Sequence, residues 1–99
     1  MKNTLIINGC TLMRTCYACP EQYDVFFHDF QIGYLRLRHG NFTATYPDVG
    51  GSLAYYGYPR GDGSFENHER LFFLREAVDS LIAMHNTHVL ERMGAPDYD

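Results

Sequence analysis

From residue 23 to residue 58 the chain passes through short segments rich in β-branched and aromatic residues, separated by glycine-containing turns, and a long amphipathic stretch follows. The plainest alternation lies between residues 33 and 39. There Leu35 and Leu37 fall on one side, and Tyr34, Arg36 and Arg38 on the other. Successive side chains of a strand point to opposite faces, so this segment predicts one row in a core and one row facing water or a ligand. Residues 23–28, 42–46 and 53–58 also have strand composition, and Leu5-Ile6-Ile7, ending at the turn pair Asn8-Gly9, predicts a short first strand. Asp29 to Gln31 and Gly40-Asn41 read as turns, the latter a tight hairpin. Phe42, Ala44 and Tyr46 are expected opposite Thr43 and Thr45, and Tyr56 and Tyr58 opposite Leu53 and Tyr55. Short links join sequence neighbours, so strand order is expected to follow chain order.

Pro59-Arg60-Gly61-Asp62-Gly63-Ser64 ends the strand region. Beyond it Leu71, Leu74, Val78, Leu81 and Ile82 recur at helical spacing, with Ala77 on the same side and Phe72 and Phe73 widening the stripe. Ser64 is the expected cap, Glu66 the acid meeting the first amides, and Glu69, Arg70, Arg75, Glu76 and Asp79 the solvent face. His85-Asn86-Thr87-His88 interrupts the stripe, which predicts a helix break near residues 85–87 and a frayed tail at 94–99. Residues 10–22 show no clean period and contain Pro20, so an irregular connection is expected there. The fold class predicted is α+β: one domain over residues 1–99, a small antiparallel meander of three to five strands packed against one long C-terminal amphipathic helix.

The 99 residues suffice for one modest core, which eight Tyr and seven Phe would dominate. No apolar run is long enough to span a membrane, and the first residues lack the apolar segment of a secretory signal, so a cytoplasmic protein is expected. The net charge of −4 is unevenly spread. Residues 1–63 hold five bases and five acids, and residues 64–99 three bases and seven acids. A basic stripe for extended nucleic-acid binding is therefore lacking.

Arg36 and Arg38 carry the most suggestive chemistry. Two guanidinium groups projecting from one sheet face beside Tyr34, with Tyr46 or Tyr56 on a neighbouring strand, suit bidentate capture of a carboxylate or phosphate and stacking on a planar group. A solvated sheet face is the plainer alternative. Cys16-Tyr17-Ala18-Cys19 has the spacing of a metal or dithiol pair, and structural, metal-binding and redox readings all stand. Gly61-Asp62-Gly63-Ser64 lacks the lysine and spacing of a phosphate loop, and Asp62 would repel an anion, so turn geometry explains it better. His68-Glu69-Arg70 lacks the second histidine of a zinc-protease motif, and His85 with His88 is weak evidence for a metal. No catalytic residue, metal ligand or cofactor is assigned.

The segments Cys19-Pro20-Glu21-Gln22-Tyr23-Asp24-Val25, Gly33-Tyr34-Leu35-Arg36-Leu37-Arg38-His39-Gly40, Tyr46-Pro47-Asp48-Val49-Gly50-Gly51 and Gly61-Asp62-Gly63-Ser64-Phe65 resemble those of a group of small uncharacterised bacterial and phage-associated proteins, over about residues 19–83. The resemblance implies a compact accessory protein of a bacterium or mobile element. The function expected is non-enzymatic binding of a host or bacterial protein, as a phage or mobile-element inhibitor, with homodimer formation through sheet edges or through Phe72, Phe73 and Leu90. The alternative is a binder of a nucleotide or other phosphate-bearing small molecule through Tyr34, Arg36 and Arg38.

Overall fold

A computed structural model describes residues 4–16 and 20–92. The strands are β1 (Thr4–Ile7), β2 (Cys10–Cys16), β3 (Glu21–Phe27), β4 (Phe30–Arg38), β5 (Asn41–Tyr46) and β6 (Ser52–Gly57), and one helix, α1 (Asn67–Arg92), follows them. They form one antiparallel sheet in the order β1-β2-β3-β4-β5-β6, so the α+β class and the meander are both observed. The sheet has six strands rather than three to five. The addition is β2, which occupies much of the expected irregular segment 10–22. Its inward residues Cys10 and Leu12 are fully buried, while Met13 points outward and a bulge interrupts the register between Arg14 and Cys16. An outward methionine and a bulge both blur a two-residue period.

Hairpin turns set the register. Asn8 and Gly9 both adopt positive φ, at 51° and 83°, as the twist-matched two-residue hairpin requires. Between β4 and β5 the turn residues are His39 (φ 53°) and Gly40 (φ 74°), one position earlier than expected, and Arg38 pairs with Asn41. On β6 the register shifts opposite Ala44 and Thr45. Leu53 therefore pairs with Thr45 and Tyr56 with Thr43, which puts Leu53 and Tyr56 on one face and separates Leu53 from Tyr55.

The helix covers one face. Leu12, Val25, Ile32, Leu35, Leu37, Phe42 and Ala44 from the sheet meet Leu74, Ala77, Val78 and Leu81 from α1, with Phe65 closing one end. Gly33 permits the closest approach, since a Cβ there would lie 2.3 Å from Leu81 Cδ1. The helix continues through residues 85–88 without the expected break. Its polar residues are accommodated: His85 Nδ1 lies 2.8 Å from the Tyr46 hydroxyl, and Thr87 Oγ1 bonds back to the Ala83 carbonyl. The helix is polar in sequence here but still has something to pack against. Burial raises the Cys10 thiol above its usual pKa. Cys19 and the tail 94–99 lie outside the described residues.

The helix start also departs from expectation. The Glu66 backbone carbonyl, not its carboxylate, accepts from the Glu69 and Arg70 amides, so Glu66 is the capping residue and Ser64 lies upstream of the first turn. Glu69, expected at the surface, is buried, and Arg70 is turned inward onto Glu21.

Candidate ligand-binding cleft

The face of the sheet away from α1 carries Tyr34, Arg36 and Arg38 on β4, as the alternation predicts. Pairing places Asp24 and Gln22 of β3 beside Tyr34 and Arg36, and Thr45, Thr43 and Asn41 of β5 on the other flank. Tyr56 joins this row opposite Thr43 and donates to Asn41 Oδ1 at 3.1 Å. Tyr46 does not join it. Its ring packs on the helix side against His85 and His88, with centroid separations of 5.8 and 5.7 Å. Of the five expected binding residues, then, Tyr34, Arg36, Arg38 and Tyr56 share a face and Tyr46 belongs to the opposite one.

At the His39–Gly40 end of this face the two arginines border a cleft of about 470 Å³. It is lined by Arg36, Arg38 and His39 at the end of β4, by Asp62 and Gly63 of the loop that precedes α1, and by Pro20 and Gln22. The volume falls within the usual range of small-molecule sites, roughly 300–1,000 Å³. Tyr34 donates to Gln22 Oε1 at 3.0 Å, which fixes that amide beside the cleft. Burial raises the Tyr34 pKa, with Arg36 acting in the opposite sense, so the hydroxyl stays protonated as a donor at neutral pH.

The loop that brings Asp62 and Gly63 to the cleft is held by its backbone. Gly40 N–H donates to the Asp62 carbonyl (2.9 Å) and Glu21 N–H to the Gly63 carbonyl (2.8 Å). Glu69 anchors the loop from below, accepting from the amides of Arg60 (2.8 Å), Gly61 (2.8 Å) and Glu66 (3.0 Å). Gly61 is required by space, because a Cβ there would lie 1.9 Å from the Ser64 carbonyl oxygen. Burial pushes the Glu69 carboxyl upward in pKa, but those amide bonds and nearby His68 outweigh it and leave it below the ordinary value.

Glu21 supports the same corner. Its carboxylate is fully buried and receives Arg70 Nε (2.8 Å), Arg70 Nη2 (3.1 Å), the Phe65 amide (3.0 Å) and the Tyr23 hydroxyl. Desolvation opposes its ionisation, yet the hydrogen bonds from Arg70, Tyr23 and Phe65, with the charge of Arg70, hold its pKa below the usual carboxylate range. Both acids thus serve the scaffold, joining β3, the loop and α1.

The cleft arginines are in a different condition. Among the described residues the ion pairs are Arg70–Glu21 and His68–Glu66, and neither Arg36, Arg38 nor Asp62 belongs to one. Arg36 Nε is closed off from solvent and has no hydrogen-bond acceptor. A buried donor left unmade costs about 1–3 kcal/mol, so its persistence calls for a reason. Sequence reasoning found the arginines but not His39, Asp62, Gly63, Pro20 or Gln22, because the loop reaches the sheet end only through contacts distant in sequence. Among the described residues no group of three or more His, Cys, Asp or Glu is placed to hold a metal, and no helix is long and apolar enough to cross a membrane. Family models, curated proteins and solved structures were each compared with the chain, and none matches it.

Proposed function

We propose that this is a binding protein, without chemistry of its own, whose cleft receives the carboxylate or phosphate of a small ligand on Arg36 and Arg38. One observation carries the reading: two guanidinium groups without ion-pair partners among the described residues border one cleft, and the Nε of one of them lacks an acceptor. A modest rotation of Arg36 that presents its Nε and Nη edge to the cleft would replace one unmade hydrogen bond with two charge-assisted ones to the same group. Tyr34 and Gln22 hold the cleft wall while this occurs. Titration calorimetry with inorganic phosphate, acetate and a panel of nucleotides tests it. Saturable heat is expected, with affinity falling about tenfold or more in Arg36→Gln and in Arg38→Gln, the loss expected for a hydrogen bond to a charged group. Heat that is the same in both variants would remove the proposal.

A second reading has its own support. Leu53, Tyr56 and Tyr58 are exposed, and the two tyrosine rings lie 5.0 Å apart. Exposed aromatic pairs beside arginines are common anchors of protein interfaces. On this reading the partner is a protein that places an acidic side chain in the cleft, consistent with an accessory or inhibitor role in a bacterium or mobile element. Replacing Tyr56 and Tyr58 by serine should abolish capture of such a partner and leave binding of small anions unchanged.

A further inference from the structure

The cleft contains an acid where an anion site would be expected to exclude one. Asp62 lines it together with Arg36 and Arg38, yet forms an ion pair with neither. Its position is fixed by backbone: the Asp62 carbonyl accepts from Gly40 N–H, the neighbouring Gly63 carbonyl accepts from Glu21 N–H, and the Gly61 amide is held by Glu69. Nothing in those bonds uses the Asp62 carboxylate, so an asparagine or serine would build the loop equally well. A ligand bearing only negative charge would be attracted by two guanidinium groups and repelled by this carboxylate. A ligand with both an acidic group and a protonated amine is attracted by all three.

We infer that the ligand is such a bifunctional molecule, its carboxylate or phosphate on Arg36 and Arg38 and its ammonium on Asp62. This rests on the anion-binding reading above and narrows it to amino acids, amino-bearing phosphate esters and molecules of like charge pattern. The cleft volume suits one such molecule. Opposite charges lining one cleft also set the orientation of the bound molecule, since reversing it would bring like charges together.

The test uses two probe pairs that differ by one ammonium group: ethyl phosphate with O-phosphoethanolamine, and glutarate with glutamate. Calorimetry should show the amine-bearing member binding more tightly by about two- to fivefold, the scale of an exposed ion pair. Asp62→Asn and Asp62→Ala should erase that preference and tighten the amine-free member. Arg36→Gln should weaken both members of a pair alike. Equal affinity within each pair in the wild-type protein, or a preference that survives loss of the Asp62 carboxylate, would overturn the inference while leaving the anion site standing. Absence of binding by all four probes would overturn the anion site and this inference together.

Discussion

Replacing Arg70 by leucine removes the only cation bonded to a fully buried carboxylate among the described residues. Glu21 has no exposed side-chain surface and Arg70 keeps 27% of its own. Stripping one partner from a buried pair costs about 3–5 kcal/mol, and the partial exposure of Arg70 favours the lower end. Against a total stability of roughly 5–15 kcal/mol for a chain of this size, about 3 kcal/mol is a large share. It corresponds to a fall in Tm of about 12 °C or more. The pH dependence gives a second readout. Because the folded pKa of Glu21 is depressed, the unfolded chain binds more protons in the acid range. The contribution of Glu21 is therefore present above the unfolded value of ~4.3 and lost as pH falls through the folded value. In Arg70→Leu burial acts with less opposition, so acid unfolding should begin at higher pH. Urea denaturation followed by circular dichroism at several pH values measures both effects. The double variant Glu21→Gln with Arg70→Leu should recover part of the loss, since the stranded charge is gone. A single variant within about 0.5 kcal/mol of wild type, the ordinary scatter of surface changes, would refute the reasoning.

Three other outcomes follow from local geometry. Gly33→Ala should destabilise the fold by about 1–3 kcal/mol through overpacking, and Leu81→Val should relieve part of that in the double variant, because Leu81 is what the new methyl meets; thermal denaturation of the four proteins checks it. Tyr46→Phe should cost about 0.5–1.5 kcal/mol and change the tautomer signature of His85 in nitrogen-detected NMR, because their contact is a direct hydrogen bond. Glu69→Ala should expose the amides of Arg60, Gly61 and Glu66 to hydrogen exchange faster than the strand amides, since Glu69 bonds all three.

The two-residue alternation along β4 was readable because Leu35 and Leu37 are core and their neighbours are polar, so composition and burial agree. The helical stripe was readable for the same reason. Agreement fails where a partner distant in sequence satisfies a polar group. Arg70 and Glu21 are 49 positions apart, and nothing local marks either as internal. His85 reads as a helix breaker until Tyr46 is brought beneath it. Bulges are the other obstacle: one hides β2, and another on β6 turns Leu53 to the arginine face, away from Tyr55. The arginine half of the cleft could thus be found from the sequence, whereas its Asp62 half depends on where a loop lands.

On the proposed reading Arg36 Nε, which has no acceptor in the free protein, gains one when an anion enters the cleft. Arginine side-chain NMR observes this directly, through the Nε–Hε signal of Arg36 during titration with inorganic phosphate. A saturable downfield shift of that signal is expected, shared by Arg38 and absent for Arg70, whose Nε is already bonded to Glu21. A titration in which the Arg36 signal stays fixed while phosphate binds elsewhere, or in which no signal moves at all, would contradict it.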